Sequence, residues 1–278
     1  MVDFGYETHW LRLERGNKND DSRPVPAGVI QEPEWKIRSL TWKKVSTQVR
    51  QLKSVIARAK PDIIHAGPIH KVAFLAALGK IKPLISMSWG SDLLLDAKKS
   101  IITRWLCSYT LKRSQGFIGD CRVVHQAALD LGFIGEESAI FPWGIDLNLF
   151  HPEKRGFYRR QLGYENEILF LCTRSFETLY GVDHIIRAFG LMTKKRNDLR
   201  LFLMGDGTQR DKLIKLTSDL GLKDKIYFAG RKTNDKLPPY YAACDFYLSA
   251  SHSDGSSVSL MEALASGPAI ARSLTASG

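Results

Sequence analysis

In the second half of the chain, four short apolar runs at residues 168–172, 199–204, 226–229 and 246–250 alternate with longer segments of helical period at 182–192, 210–220 and 237–243. Few folds accommodate such alternation. Short continuous apolar runs suit strands buried on both faces, and the helical segments between them supply the crossovers that parallel strands require. A parallel sheet covered on both sides follows, with ligands expected outside the carboxyl ends of its strands. Glycine and polar residues gather at those ends: Thr173-Arg174-Ser175, Gly205-Asp206-Gly207, Gly230-Arg231-Lys232 and the stretch 251–257. Four consecutive strand ends therefore point toward one crevice.

Residues 251–267 read Ser-His-Ser-Asp-Gly-Ser-Ser-Val-Ser-Leu-Met-Glu-Ala-Leu-Ala-Ser-Gly. Asp-Gly-Ser-Ser is turn and cap chemistry, and Val258, Leu260, Met261, Ala263 and Leu264 form an apolar run of helical type, so a helix is predicted to begin near Ser256 or Ser257. Its first turn offers unpaired amides and the positive end of a dipole, which suits an anion. Asp254 lies just before that start and Glu262 about two turns inside it. One carboxylate flanks the anion site, and the other can reach polyol hydroxyls beside it. Taken alone, the pair reads more readily as an N-cap aspartate and a solvated helix glutamate; the serial strand ends give it meaning.

These residues resemble a known family, the GT-B glycosyltransferases of family four, which are retaining enzymes that use nucleotide-sugar donors. The resemblance rests on Arg174 with Tyr180-Gly181-Val182-Asp183, Met204-Gly205-Asp206-Gly207, Phe228-Ala229-Gly230, Ala242-Ala243-Cys244-Asp245 and the segment 254–267. In the first half it rests on Asp62-Ile63-Ile64-His65-Ala66-Gly67, Ser88-Trp89-Gly90-Ser91-Asp92 and the run from Pro142 to Pro152. It covers nearly the whole chain, with the motifs in the family's order. The fold it implies is α/β, two Rossmann-like domains with parallel sheets facing across a cleft: an acceptor-side domain at 1–150 and a nucleotide-sugar-binding domain at 151–278.

Carried over by position, the resemblance implies that Glu262 holds the donor ribose and that Asp254, where the family usually has glutamate, hydrogen-bonds the donor sugar. The backbone around Gly255, Ser256, Val258 and Ser259 would meet the diphosphate, with Arg174 neutralising it from the opposite strand end. Gly205 would belong to the same donor site, and Gly230 and Arg231 would cradle the base. The family's usual lysine before the glycine is here Tyr180. A phenol donates one hydrogen bond but brings no charge at neutral pH, so leaving-group stabilisation leans on Arg174, and a packed aromatic is an equal reading of Tyr180. Breaking a glycosyl phosphate bond develops negative charge, which a guanidinium and a helix N-terminus both stabilise. The sequence shows no Asp-x-Asp or clustered His/Cys pattern for a metal, and no resident cofactor is expected because the nucleotide-sugar is a co-substrate. A hydrolase would place two carboxylates about 5–10 Å apart around one sugar, whereas Asp254 and Glu262 are assigned to opposite ends of the donor. No enzyme nucleophile stands out, so departure and attack on one face, with a phosphate oxygen helping to deprotonate the acceptor, is the mechanism the resemblance implies.

In the first half, 62–67, 84–89, 116–119 and 139–141 read as strands, and 45–59 as a basic amphipathic helix. Gly90, Ser91 and Asp92 fall at a strand end, with Ser91 and Asp92 the candidates for donor-sugar or acceptor contact. His65 and His70 read more readily as structural. Two α/β domains are an ordinary division of 278 residues at 44% hydrophobic content. No apolar run reaches membrane-spanning length and no signal peptide is visible; with Cys107, Cys121, Cys172 and Cys244 scattered singly, the expectation is a cytoplasmic protein with reduced thiols. The net charge of +11 is densest at residues 36–60, with eight Lys or Arg and no acid. Val45, Val49, Leu52 and Ile56 make one stripe of that segment, which predicts a helix packed on a sheet with its basic face in water; the alternative is peripheral docking on anionic lipid, apt for a lipid-linked acceptor. Nucleic acid is disfavoured because Trp35 and Trp42 do not extend into a stacking platform. The expected partners are a UDP- or GDP-sugar donor and a carbohydrate or lipid-linked acceptor. By the resemblance, a further strand and glycine-rich loop would precede Val2 and further helices would follow Gly278. A nucleotide-sugar epimerase, a phosphorylase and a binding-only protein stay open as rivals, separable by whether donor is consumed and whether an acceptor is needed.

Overall fold

A computed structural model describes residues 4–11, 25–32, 42–153 and 155–272, the side chains of residues 42 and 43 excepted. Trp35, the side chain of Trp42, Val2 and the first residues of the basic stretch lie outside the described residues. Two compact units divide between Ile140 and Phe141. The sequence boundary at 150/151 moves ten residues earlier because Phe150 is 1% exposed in the core of the second unit, set edge-on to Tyr241 with ring centroids 5.6 Å apart.

In the first unit, β3 (Ile64–Ala66), β4 (Leu84–Met87), β5 (Gly116–Gly119) and β6 (Glu137–Ile140) form a parallel sheet in the order β3-β4-β5-β6. A separate parallel pair joins β1 (Thr8–Trp10) to β2 (Val29–Gln31). Helix α1 (Trp42–Ala59) packs as its stripe predicts: Val45 and Leu52 are buried, Val49 and Ile56 lie against the same cluster, and Lys44, Arg50 and Lys53 face water. After β3, a π-helical turn at Ile69–Ala73 runs into α2 (Phe74–Leu78); after β4, a second such turn at Asp92–Asp96 runs into α3 (Ala97–Lys99) and α4 (Ile101–Leu111). Helix α5 (Arg122–Asp130) connects β5 to β6.

The second unit begins its helices with α6 (Arg155–Leu162) and holds a five-stranded sheet, all parallel. Its strands are β7 (Ile168–Cys172), β8 (Leu199–Leu203), β9 (Ile226–Phe228), β10 (Phe246–Ser249) and β11 (Ala269–Arg272), in the order β11-β10-β7-β8-β9. The crossover helices are α7 (Val182–Thr193), α8 (Arg210–Asp219), α9 (Pro238–Ala243) and α10 (Val258–Ser266). Strand side chains alternate in direction, so one strand feeds two cores. Phe170, Cys172, Leu201 and Leu203 join Ile186 and Phe189 of α7 on one face, while Leu169, Leu171 and Phe202 join Tyr241 and Ala263 on the other. This double burial explains why these strands read as unbroken apolar runs.

Asp245, just before β10, closes the amino end of this sheet. Its carboxylate accepts from Arg155, from Arg159 Nη1 at 3.0 Å and from the Leu169 amide at 2.8 Å, which ties α6 to β7 and β10 at once. The four cysteines are free thiols; Cys107, Cys172 and Cys244 are buried and Cys121 half-buried. Burial pushes the Cys107 thiol up to about 12 and that of Cys172 up to about 11, so both are protonated at neutral pH. Among the described residues, no helix is long and apolar enough to cross a membrane.

Candidate functional site

The site forms where β7 and β10 end side by side, because neighbouring strands deliver their loops to one place. The loop after β7 carries Arg174 and Tyr180; the loop after β10 carries Asp254 and leads into α10. Two glycines make this close approach possible. A Cβ on Gly205, at the end of β8, would stand 2.2 Å from the Arg174 carbonyl oxygen. Gly181 adopts φ +56° before α7, and a Cβ there would lie 2.4 Å from the Ala250 carbonyl oxygen.

Arg174 is 9% exposed and reaches across to the start of α10. Its Nη1 donates to Ser257 Oγ at 2.8 Å and Ser259 Oγ at 3.0 Å, and its Nη2 to Asp254 Oδ2 at 2.5 Å. Its Nε is buried with no hydrogen-bond partner among the described residues. The guanidinium lies 4.2 Å from the centroid of the Tyr180 ring, a cation–π contact. Tyr180 is thus neither a replacement cation nor a bystander: it supports the cation the site has. Asp254 and Arg174 were expected to serve different parts of a ligand, and the structure pairs them directly.

Helix α10 starts at Val258, with Ser257 as its N-cap, as the turn chemistry predicts. The Ser257 hydroxyl accepts from Arg174 and makes no capping bond to the helix it precedes. Gly255 and Ser256 lead into that turn half-buried, and Val258 is exposed. Two turns along, Glu262 is 6% exposed and its Oε2 accepts from the Tyr241 hydroxyl at 2.9 Å. Burial raises the Glu262 carboxyl above its ordinary range, and the Tyr241 hydrogen bond opposes that rise. Tyr241 in turn meets Thr173 Oγ1 at 2.8 Å, and Thr173 Oγ1 meets the Tyr247 hydroxyl at 3.2 Å.

Tyr241 and Tyr247 were absent from the residues the sequence singled out, whereas Thr173 stood among the polar residues at the strand ends. The available signal was chemical: a tyrosine inside an apolar strand or helix must find a partner for its hydroxyl. Gly230 (φ +68°) and the exposed Arg231 follow β9, two strands away from β7, and join none of these contacts.

In the first unit the outcome differs for Asp92. It is 1% exposed, with Oδ1 accepting from Ser88 Oγ at 2.6 Å, the Trp89 amide at 3.1 Å and the Leu93 amide at 3.1 Å, and Oδ2 from the Ile69 amide at 2.8 Å. Both of its oxygens are thus engaged inside the unit. Asp92 positions the turns after β3 and β4. Gly90 bends that loop at φ +80°, and its neighbour Ser91 is exposed. His65 is exposed at its strand end, whereas His70 is half-buried with Nε2 3.8 Å from Asp96 Oδ2, and burial lowers its basicity. Among the described residues, no group of three or more His, Cys, Asp or Glu is placed to hold a metal ion.

Comparison with known proteins places this geometry. Residues 154–274 match the family described as Glycosyl transferases group 1, and residues 17–120 match the family described as Glycosyl transferase 4-like. An uncharacterized glycosyltransferase of Methanocaldococcus jannaschii is 31% identical over 133 residues, 47% of this chain and 33% of that protein. The alpha-monoglucosyldiacylglycerol synthase of Streptococcus pneumoniae is 31% identical over 144 residues, 49% of this chain and 32% of that enzyme. The chain thus matches about a third of the length of these curated relatives. Among solved structures, Anabaena HepE in complex with UDP-glucose superposes with a TM-score of 0.75 at 18% identity, covering 96% of this chain and 80% of that one. With two glycosyltransferase family models matching successive parts of the chain and a shared fold across nearly all of it, the protein belongs to the GT-B glycosyltransferases of the family-four type.

Proposed function

We propose that the chain provides the donor site of a retaining, metal-independent glycosyltransferase that moves a sugar from a UDP- or GDP-sugar to a hydroxyl of a carbohydrate or lipid-linked acceptor. The observation that carries the reading is the convergence of the Arg174 guanidinium on the start of α10, whose N-cap Ser257 makes no capping bond, with Glu262 further along the same helix. A diphosphate suits the cationic end, and a pair of ribose hydroxyls suits a carboxylate that has one oxygen already engaged. The solved complex of Anabaena HepE with UDP-glucose and the glycolipid-forming relative from Streptococcus pneumoniae support this choice of donor and acceptor classes.

In the proposed reaction Arg174 and the α10 amides stabilise the charge that grows on the leaving diphosphate. Asp254, released from its pairing with Arg174, accepts hydrogen bonds from the donor sugar. The acceptor hydroxyl attacks on the face the diphosphate leaves, and a phosphate oxygen takes its proton. Gly205 keeps the backbone beneath Arg174 close, Tyr180 holds the guanidinium, and Gly230 with Arg231 serves the base. Ser91 and Gly90 remain the candidates on the first unit for the sugar or acceptor. The water-facing cations of α1, Lys44, Arg50 and Lys53, suit a peripheral position on an anionic membrane surface in the cytoplasm.

The test is calorimetry of UDP-, GDP- and ADP-sugars against the wild-type chain, Arg174→Ala and Glu262→Ala, with sugar release followed with and without acceptor alcohols. Binding of one nucleotide series that both substitutions abolish supports the reading. A folded wild-type chain that binds no member of the three series refutes it.

A further inference from the structure

A series of buried hydroxyls runs from Tyr247 to Glu262: Tyr247 meets Thr173 Oγ1 at 3.2 Å, Thr173 meets the Tyr241 hydroxyl at 2.8 Å, and Tyr241 meets Glu262 Oε2 at 2.9 Å. The two tyrosines are fully buried, and the series crosses from the end of β7 through α9 and β10 to α10. Its polarity is forced by proton count. An ionised carboxylate only accepts, and each hydroxyl before it has one proton to give. Every bond must therefore run the same way: Tyr247 to Thr173, Thr173 to Tyr241, Tyr241 to Glu262. Hydrogen bonds aligned head to tail polarise one another in a low-dielectric interior, so the last donor in the series is strengthened by those before it.

We propose that Tyr241 is a positioning residue for the donor site: as the last donor of a one-way hydroxyl series from Tyr247 through Thr173, it fixes the rotation and the ionised state of Glu262, so that Oε1 is presented to the hydroxyls of the ligand. This rests on the donor-site reading above and adds to it the residue on which the carboxylate depends. The placement requires it. Glu262 is on a helix face with 6% of its surface exposed, and Tyr241 is the one hydrogen-bond partner its carboxylate has among the described residues. Without that phenol, burial would favour the neutral acid, whose remaining oxygens are poorer acceptors for a sugar hydroxyl. Thr173 orients Tyr241 in the same way, one step back.

The experiment compares wild type with Tyr241→Phe, which keeps the ring and removes only the hydroxyl, by calorimetry with UDP and GDP and with their 2′,3′-dideoxy analogues. The expected result is an affinity for the ribonucleotide about tenfold weaker and an affinity for the dideoxy analogue unchanged, since that ligand has no hydroxyl for Glu262 to hold. The acid limb of ribonucleotide binding moves to higher pH in the variant, because the Tyr241 hydrogen bond lowers the Glu262 titration in wild type. Equal weakening for both ligands would mark general damage to the site and overturn the proposal, as would wild-type affinity in the variant. NMR titration of the labelled Glu262 carboxyl, without any ligand, keeps the two readings separate. A higher titration midpoint in Tyr241→Phe supports the positioning role even where the wild-type chain binds neither nucleotide, an outcome that would remove the donor reading alone. An unchanged midpoint overturns the positioning role however well the nucleotides bind.

Discussion

At the residue scale, the site depends on one guanidinium with several jobs. Arg174 ties the β7 loop to Asp254 and to two serines of α10 while leaving its Nε without a partner among the described residues. Arg174→Ala is expected to lower turnover by about 100-fold, the ~3 kcal/mol associated with one charge-stabilising donor, measured as kcat with saturating donor. Arg174→Lys should recover little of it, because an ammonium cannot bridge Ser257, Ser259 and Asp254 as a planar fork does. Gly205 answers to close approach, by the Arg174 carbonyl oxygen and by the Phe176 ring. Gly205→Ala drives a methyl against the Arg174 carbonyl oxygen 2.2 Å away and is expected to cost about 1–3 kcal/mol, read as a lower urea midpoint, with donor affinity falling as the Arg174 loop shifts. Arg174, Asp254 and Glu262 were legible as candidate residues because each sits at a fixed offset from a strand end or helix start. Tyr241 was not, since its partner lies 21 residues on and only the packing of α9 on α10 brings them together.

At the element scale, β7 and β8 were legible because double burial turns them into continuous apolar runs. Helix α4 was not, for the opposite reason: Ile101, Ile102 and Trp105 are 88%, 61% and 50% exposed, so its apolar residues fall on both sides and blur the helical period. Asp92 shows how a strand-end carboxylate can be structural. It collects one hydroxyl and three amides from the turns after β3 and β4, and Asp92→Ala would leave those buried donors unpaired. A loss of about 3 kcal/mol is expected, measured by urea denaturation followed in the first unit. Glu262 on α10 shows the converse, a carboxylate kept at a cost to its element. Its folded-state titration is raised by burial, so the folded state binds its proton more tightly than the unfolded chain does. Stability is then greatest, for this group, below its unfolded pKa and declines as pH rises through the folded one. Glu262→Gln should therefore melt at a higher temperature than wild type at pH 7, and the gap should close as pH falls below the ordinary glutamate range, while nucleotide binding is lost throughout.

At the scale of the whole molecule, each unit has its own sheet and its own buried clusters, with Phe150 rooting the chain in the second. Residues 141–278 made alone are expected to fold, with a cooperative thermal transition and helical circular dichroism; absence of that transition would show that the second core needs the first unit. The sequence located this division only to within ten residues, because the run from Pro142 to Pro152 carries no periodicity and only packing shows that Phe150 belongs to the later core. The order β11-β10-β7-β8-β9 sets the first strand of the second unit at the centre of its sheet, with a neighbour that arrives late. The bond from the Leu169 amide to Asp245 spans 76 residues. At synthesis rates of about 5–20 residues per second, β7 spends roughly 4 to 15 seconds outside the ribosome with one apolar edge bare. That interval is when this chain is most exposed to aggregation, so slowing translation across α8 and β9 should lower its soluble yield even though the finished sheet is unchanged.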